Sequence, residues 1–173
     1  MEVNSNVIKC AVMSFFRFKK GYLCCSELSY SLGIADVIAI NDTTGEVIEI
    51  EIKISKSDLL NENKHKEPKH KLLKEAELHE DDPYPNYTPN KFYFCVPTYL
   101  VKEAKEYSLD MNKDYGILEF DSTHIHKLPE HSIFYRKPAY KLHKACVGSF
   151  FKESLIKRVC NDNIVFYRDE YWR

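Results

Sequence analysis

Apolar residues recur along this chain first at helical and then at strand spacing. Ile8, Ala11, Val12 and Phe15 follow the i, i+3, i+4, i+7 rhythm of one buried helical stripe, with Ser5 or Asn6 as the expected cap. Lys19 and Lys20 fall in its last turn and Gly21 stops it. A short strand is predicted over 22–29, and 34–41 reads as a buried strand with one acid, Asp36, inside it. Asp42-Thr43-Thr44-Gly45 is a turn, and 46–55 returns as the second arm of a hairpin.

The stretch 55–77 is polar and helix-prone, with Pro68 set to break or kink it. Pro83, Pro85 and Pro89 mark 80–90 as an exposed loop. A strongly apolar strand over 91–97 is followed by a helix over 98–109 and a strand over 115–120. A connection, an amphipathic helix over 142–160 and a last short strand over 163–167 complete the pattern. This order predicts an α/β fold, a central mixed sheet with helices on both faces and a parallel βαβ crossover after the 91–97 strand. With 173 residues one domain is expected, its core over about 5–122 and an extension over about 123–173.

Composition narrows the class. Apolar residues at 44% and aromatics at 13% exclude wholesale disorder. No run of 18 apolar residues occurs, and 1–6 lacks the pattern of a secretory signal, so a cytoplasmic protein without a membrane partner is expected. The net charge of −1 hides two basic blocks: seven lysines against three acids over 53–74, and seven Lys/Arg against Glu153 alone over 131–160. Such blocks suit a polyanion on one face, and suit solvated helix surfaces as well. Cysteines at 10, 24, 25, 95, 146 and 160 form no CxxC pair and read as buried thiols. His124-x-His126 has no acidic or sulfur partner close in sequence and is a weak metal candidate.

Chemistry concentrates in Val47-Ile48-Glu49-Ile50-Glu51-Ile52-Lys53-Ile54. Side chains alternate faces in a strand, so the isoleucines line one side and Glu49, Glu51 and Lys53 the other. An amphipathic strand with one wet face satisfies the same alternation. Asp36 adds a second fact. A carboxylate among Ile34, Val37, Ile38 and Ile40 is rarely buried without a partner, and the hairpin brings it toward Glu51 and Lys53. Two carboxylates about 5 Å apart repel by roughly 1–3 kcal/mol at an effective dielectric between 80 and 20. One lysine compensates only part of that cluster if Glu49 or Glu27 also points in, and a hard divalent cation, Mg²⁺ or Mn²⁺, would relieve the rest.

Asp36 followed by Glu51-Ile52-Lys53 on the next strand resembles the PD-(D/E)XK nuclease superfamily, with Ala35 where that family usually has proline. The succession Ala35-Asp36-Val37, then Glu51-Ile52-Lys53-Ile54-Ser55-Lys56-Ser57-Asp58-Leu59, Lys64, the 91–97 strand and Gly116-Ile117-Leu118 is similar to the MmcB-type branch of DNA-repair proteins. The likeness covers about residues 20–120. It implies a restriction-endonuclease-like core of αβββαβ order and a nuclease hydrolysing phosphodiester bonds of DNA in repair, recombination or defence. Asp36 and Glu51, with the Ile52 carbonyl, would bind the ion. Lys53 would orient the attacking water and offset charge on the reacting phosphate.

Glu27 and Glu49 are additional acid candidates. Glu27 fits a surface site beside a turn equally well, and Glu49 is expected at the wet end of its strand. Lys56, Lys64, Lys66, Lys69 and Lys71, with His65 and His70, follow the catalytic strand and are expected to meet DNA phosphates. Arg136, Lys137, Lys141 and Lys144 interleave with Phe134, Tyr135 and Tyr140, which suits a nucleic-acid strand or a core-facing helix with a cationic exterior. A homodimer is implied by analogy with related enzymes. Two other readings use the same residues: a non-catalytic module with a nuclease-like fold that binds nucleic acid or a partner, and a structural protein with a merely amphipathic strand.

Overall fold

The computed structural model describes residues 3–75, 88–124 and 128–171. Helix α1, Ser5–Ser14, begins where the Asn4 side chain accepts the Val7 N–H at 3.1 Å, so the cap lies one residue before the expected pair. The helix widens into a π-helical turn over Phe15–Lys19 and is stopped by Gly21 at φ +74°. Strands β1 (Leu23–Tyr30), β2 (Gly33–Ile40) and β3 (Val47–Ile52) form an antiparallel meander. After α2 (Lys56–Glu75), β4 (Lys91–Pro97) lies parallel to β3. A 3₁₀ turn (Thr98–Leu100) and α3 (Val101–Met111) lead to β5 (Gly116–Phe120), parallel to β4. Then β6 (Ile133–Lys137) pairs antiparallel with β5, and α4 (Gly148–Tyr171) follows.

The six strands stand in the sheet in chain order, which makes β3 and β4 central. Strand alternation then sorts the core. Ile8 and Val12 of α1 and Phe16 of the π-helical turn pack on Ile48, Ile50 and Ile52 of β3 and on Tyr93 and Cys95 of β4. On the opposite face, Leu59 and Leu73 of α2 and Ala104 of α3 cover Phe92, Phe94 and Val96. Phe151 and Leu155 of α4 cover Ile38, Ile40 and Val47. Both sides of β3 are therefore roofed, and every residue from Val47 to Ile52 is buried. The reading of β3 as a strand with one wet face is overturned.

Two elements differ from the sequence pattern. Ile133–Lys137, expected as connection, extends the sheet, while 163–167, expected as a strand, continues α4. Ion pairs between Glu153 and Lys157 (2.6 Å) and between Arg158 and Asp162 (3.0 Å) brace that helix at i, i+4 spacing. The helix also starts later than residue 142. The Leu142 N–H donates to the Asn90 carbonyl (2.8 Å), and the Asn90 amide donates to the Ala145 carbonyl (2.8 Å), so this stretch is tied to the start of β4. No helix among the described residues is long and apolar enough to cross a membrane.

Gly116 lets β5 approach the Tyr93 ring. A Cβ there would lie 2.2 Å from the ring edge and 2.7 Å from the Ala139 nitrogen. The ring is pinned, because its hydroxyl accepts the Ala139 N–H at 3.1 Å. Gly116→Ala is expected to cost about 1–3 kcal/mol through overpacking. Urea denaturation reads this as a lower midpoint, and an unchanged midpoint would mean the ring is free to move.

Candidate functional site

The site starts where two strands part. β2 and β3 pair from Ile40–Val47 to Val37–Ile50 and no further. Just past that last pair, Asp36 Oδ2 accepts the Ile52 N–H at 2.8 Å. A break in alternation accompanies this position. Ala35 and Ile38, three residues apart, share one core cluster, as do Cys25 and Leu28 on the paired strand. Between the latter two lies Glu27 at φ +53°, a left-handed conformation that non-glycine residues seldom adopt. The distorted pair directs Asp36 toward β3.

Glu49 and Glu51 leave β3 on the face covered by α2. That helix turns a mixed stripe inward: Leu59, Glu62, Lys69, His70 and Leu73 are buried, with Lys66 half-buried among them. Lys69 Nζ bonds Glu49 Oε1 (2.5 Å) and Glu51 Oε1 (2.6 Å), and it lies 5.4 Å from the Phe92 ring centroid. Lys66 Nζ takes the other Glu51 oxygen at 2.7 Å. The Tyr30 hydroxyl donates to Glu49 Oε2 at 2.6 Å. Lys53 Nζ bonds Glu62 Oε2 at 2.6 Å and lies 3.6 Å from Asp58 Oδ1. Glu62 Oε1 meets His70 Nε2 at 3.1 Å, and His70 Nδ1 meets the Tyr115 hydroxyl at 2.9 Å. Because a carboxylate only accepts, Nε2 carries the proton in this contact. An open pocket of about 160 Å³ lies beside the cluster, lined by Lys53, Asp58, Asn61, Glu62 and Lys66.

Burial and charge pull these groups in different directions. For Asp36, burial first and the Glu51 charge second raise the carboxyl above its ordinary value, and the Ile52 N–H, Lys9 and Lys66 offset this only in part. Burial raises the Glu49 carboxyl too, against the pull of Lys69. Burial also opposes ionisation of Glu51 and Glu62, but there the partners win. Lys69 and Lys66 hold Glu51 below its usual value, while the His70 hydrogen bond with Lys53 and Lys66 lowers Glu62 to about 2. Lys53 is raised, since Glu62 and Glu51 outweigh its burial. It is a fixed cation rather than a base.

Asp36 thus reaches the backbone between Glu51 and Lys53, and the Glu51 charge acts on both Asp36 and Lys53. Glu27 is half-exposed and sits beside Asp36 through Lys9, whose Nζ lies 2.6 Å from Glu27 Oε1 and 3.4 Å from Asp36 Oδ1. Glu49 is not at a wet strand end; it is fully buried under Lys69 and Tyr30. Among the lysines expected to meet phosphate, Lys56, Lys64 and Lys71 are exposed on α2. Lys69 is not available, because the two β3 acids hold it inside. Cys10, Cys146 and Cys160 are exposed, against the expectation of buried thiols. His124 pairs at 3.1 Å with Asp121, an acid three residues before it, against the expectation of no acidic partner close in sequence, and His126 lies outside the described residues. Arg136 bonds Glu119 across the β5–β6 pair.

Sequence reading missed Lys9, Glu62, Tyr30 and Tyr115. For Glu62 a signal was present: with Lys66 and His70 it repeats at i, i+4, i+8 between Leu59 and Leu73, one face of a helix otherwise too polar to pack.

Among the described residues no three His, Cys, Asp or Glu side chains converge as a metal-binding group. The oxygen donors at the fork are the Asp36 and Glu51 carboxylates and the Ile52 carbonyl, a set whose chemistry fits a hard cation. At Asp36, burial first and the Glu51 charge second outweigh the Ile52 N–H, Lys9 and Lys66. Glu51 is held by two lysines, so this carboxylate fits an ion once one lysine lets go.

No protein-family model and no curated protein matches the chain. Among solved structures, SPO1766, a protein of unknown function from Silicibacter pomeroyi, is similar at a TM-score of 0.66 and 13% identity, over 99% of this chain and 97% of that one. An XisH family protein from Nostoc punctiforme aligns at a TM-score of 0.39 and 18% identity, over 78% of this chain and 98% of that one. The first likeness is one of fold. That fold is α/β, a six-stranded mixed sheet flanked by helices and consistent with a restriction-endonuclease-like core.

Proposed function

We propose that this protein is a metal-dependent nuclease that hydrolyses phosphodiester bonds of DNA, as its resemblance to PD-(D/E)XK sites and the MmcB-type branch implies. The observation that carries the reading is Asp36 at the strand fork, bonded to the Ile52 N–H between Glu51 and Lys53. Asp36, Glu51 and the Ile52 carbonyl would hold Mg²⁺ or Mn²⁺, which when bound supplies Lewis acidity toward the phosphate and an acidified water. Lys53 sets a positive charge against the charge that builds on the reacting phosphate. Glu62 fixes that ammonium, His70 fixes Glu62, and Tyr115 fixes His70, so the lysine is oriented from the core outward. Lys56, Lys64 and Lys71 stand exposed on α2, where they can contact the DNA backbone without reading bases.

A panel of linear, nicked, branched and single-stranded DNA, each with Mg²⁺, Mn²⁺ or EDTA, tests the proposal. At least one form is expected to be cut with an ion present and none in EDTA. Folded protein that cuts no form with either ion would overturn it. One observation favours the second reading, a non-catalytic nucleic-acid-binding module: both Glu51 oxygens already rest on lysines. That reading expects salt-dependent DNA binding with no cleavage.

A further inference from the structure

We propose that Lys66 is a built-in, displaceable counter-ion that stands in the cation position of the acidic cleft and yields it to a divalent ion. The inference rests on the metal-dependent reading above. Lys66 Nζ is 2.7 Å from Glu51 Oε2 and 3.7 Å from Glu62 Oε1, and its charge acts on Asp36 as well. Glu51 and Glu62 thus share one ammonium, on the carboxylate that with Asp36 would hold an ion.

Lys66 and Lys69 differ in how firmly they are held. The Lys69 side chain is 3% exposed and spans two buried acids, whereas that of Lys66 is 32% exposed. Lys66 is also the residue at which α2 leaves helical geometry, at φ −123° and ψ 23°. Two residues on, Pro68 has no N–H to give the Lys64 carbonyl, and its ring crowds that carbonyl. The turn carrying Lys66 therefore has fewer backbone bonds to lose on moving than the turns on either side. A destination exists. The pocket lined by Lys53, Asp58, Asn61, Glu62 and Lys66 borders the site, so the ammonium can leave Glu51 and remain beside Glu62 and Asp58. Lys66 then acts as a positioning residue: it keeps Glu51 ionised and aimed while the cleft holds no ion.

Isothermal titration with Mn²⁺ alone, without DNA, tests this on wild type, Lys66→Met, Lys66→Arg and Asp36→Asn. Lys66→Met removes a competing charge in contact with the ligand carboxylate and is expected to tighten Mn²⁺ binding at least about tenfold. Lys66→Arg, which keeps the charge, is expected to bind no more tightly than wild type. In thermal melts Lys66→Met is expected to lie below wild type without Mn²⁺ and to gain more from saturating Mn²⁺. Equal affinity in wild type and Lys66→Met, with binding lost in Asp36→Asn, overturns the counter-ion role and leaves the metal site standing. Absence of Mn²⁺ binding in wild type and Lys66→Met alike overturns both.

Discussion

Lys69→Met is expected to lower folding stability by about 3–5 kcal/mol, the range for removing one partner of a buried ion pair. Methionine matches lysine closely in length, so packing changes little and the loss is electrostatic. Lys69 is the cation shared by Glu49 and Glu51, which are 0% and 1% exposed. Without it, among the described residues, Glu49 keeps only the Tyr30 hydroxyl and Glu51 only Lys66 as side-chain partners. Glu49→Gln should cost less, since the amide oxygen still accepts from Tyr30. The double variant Glu49→Gln with Lys69→Met should be more stable than Lys69→Met alone, because one of the stranded charges is gone. The acids also hold Lys69 well above the ordinary lysine value, outweighing its burial. Its contribution is then complete below about pH 10.4 and is lost as pH rises through the folded value. Urea denaturation at neutral pH measures the effect. A loss under about 1 kcal/mol, well short of the buried-pair range, would mean that the ion pairs are not formed in solution.

The strands that build the site were legible because their signals are local. Alternation in 47–54 gave the faces of Glu49, Glu51 and Lys53, and Asp36 stood out as an acid inside an apolar strand. Pro68 announced a kink, which falls two residues earlier at Lys66. What escaped was set by distant partners. Glu49 looks like a surface residue until Lys69, twenty residues on, folds over it, and the same contact turns Lys69 from a candidate phosphate ligand into a structural cation. Lys9 reaches Asp36 from α1, on the opposite side of β3 from Lys66, a convergence that exists only after packing. Near the C-terminal end, Ile164-Val165-Phe166-Tyr167 has strand-forming side chains, yet the helix begun on Phe151 and Leu155 runs through them. Propensity gave way to the context of the preceding turns.

Asp36→Asn separates catalysis from stability. Under the nuclease reading it should reduce DNA cleavage by at least about a hundredfold, as expected for loss of a charged group that organises the transition state. The variant should nonetheless be as stable as wild type or more so. Asparagine keeps the size of the side chain and an oxygen for the Ile52 N–H. It removes a charge that the folded state holds at a cost, since burial and Glu51 raise the Asp36 carboxyl above its ordinary 3.8. The sign follows from linkage. Between the unfolded value and the raised folded value the native state binds more protons, so wild-type stability falls as pH rises through that window. The substituted amide has no proton to lose, so the stability advantage of Asp36→Asn should grow across the same window and stay constant above it. Parallel cleavage assays and urea titrations from about pH 3.5 to about pH 7, a range that spans carboxylate titration, check both halves. An inactive variant that is also several kcal/mol less stable would make Asp36 a structural residue. A stable variant that cuts as fast as wild type would remove it from the catalytic site. Only a stable and inactive one supports the nuclease reading, in which Asp36 is a carboxylate kept at some cost to the fold for an ion it would hold.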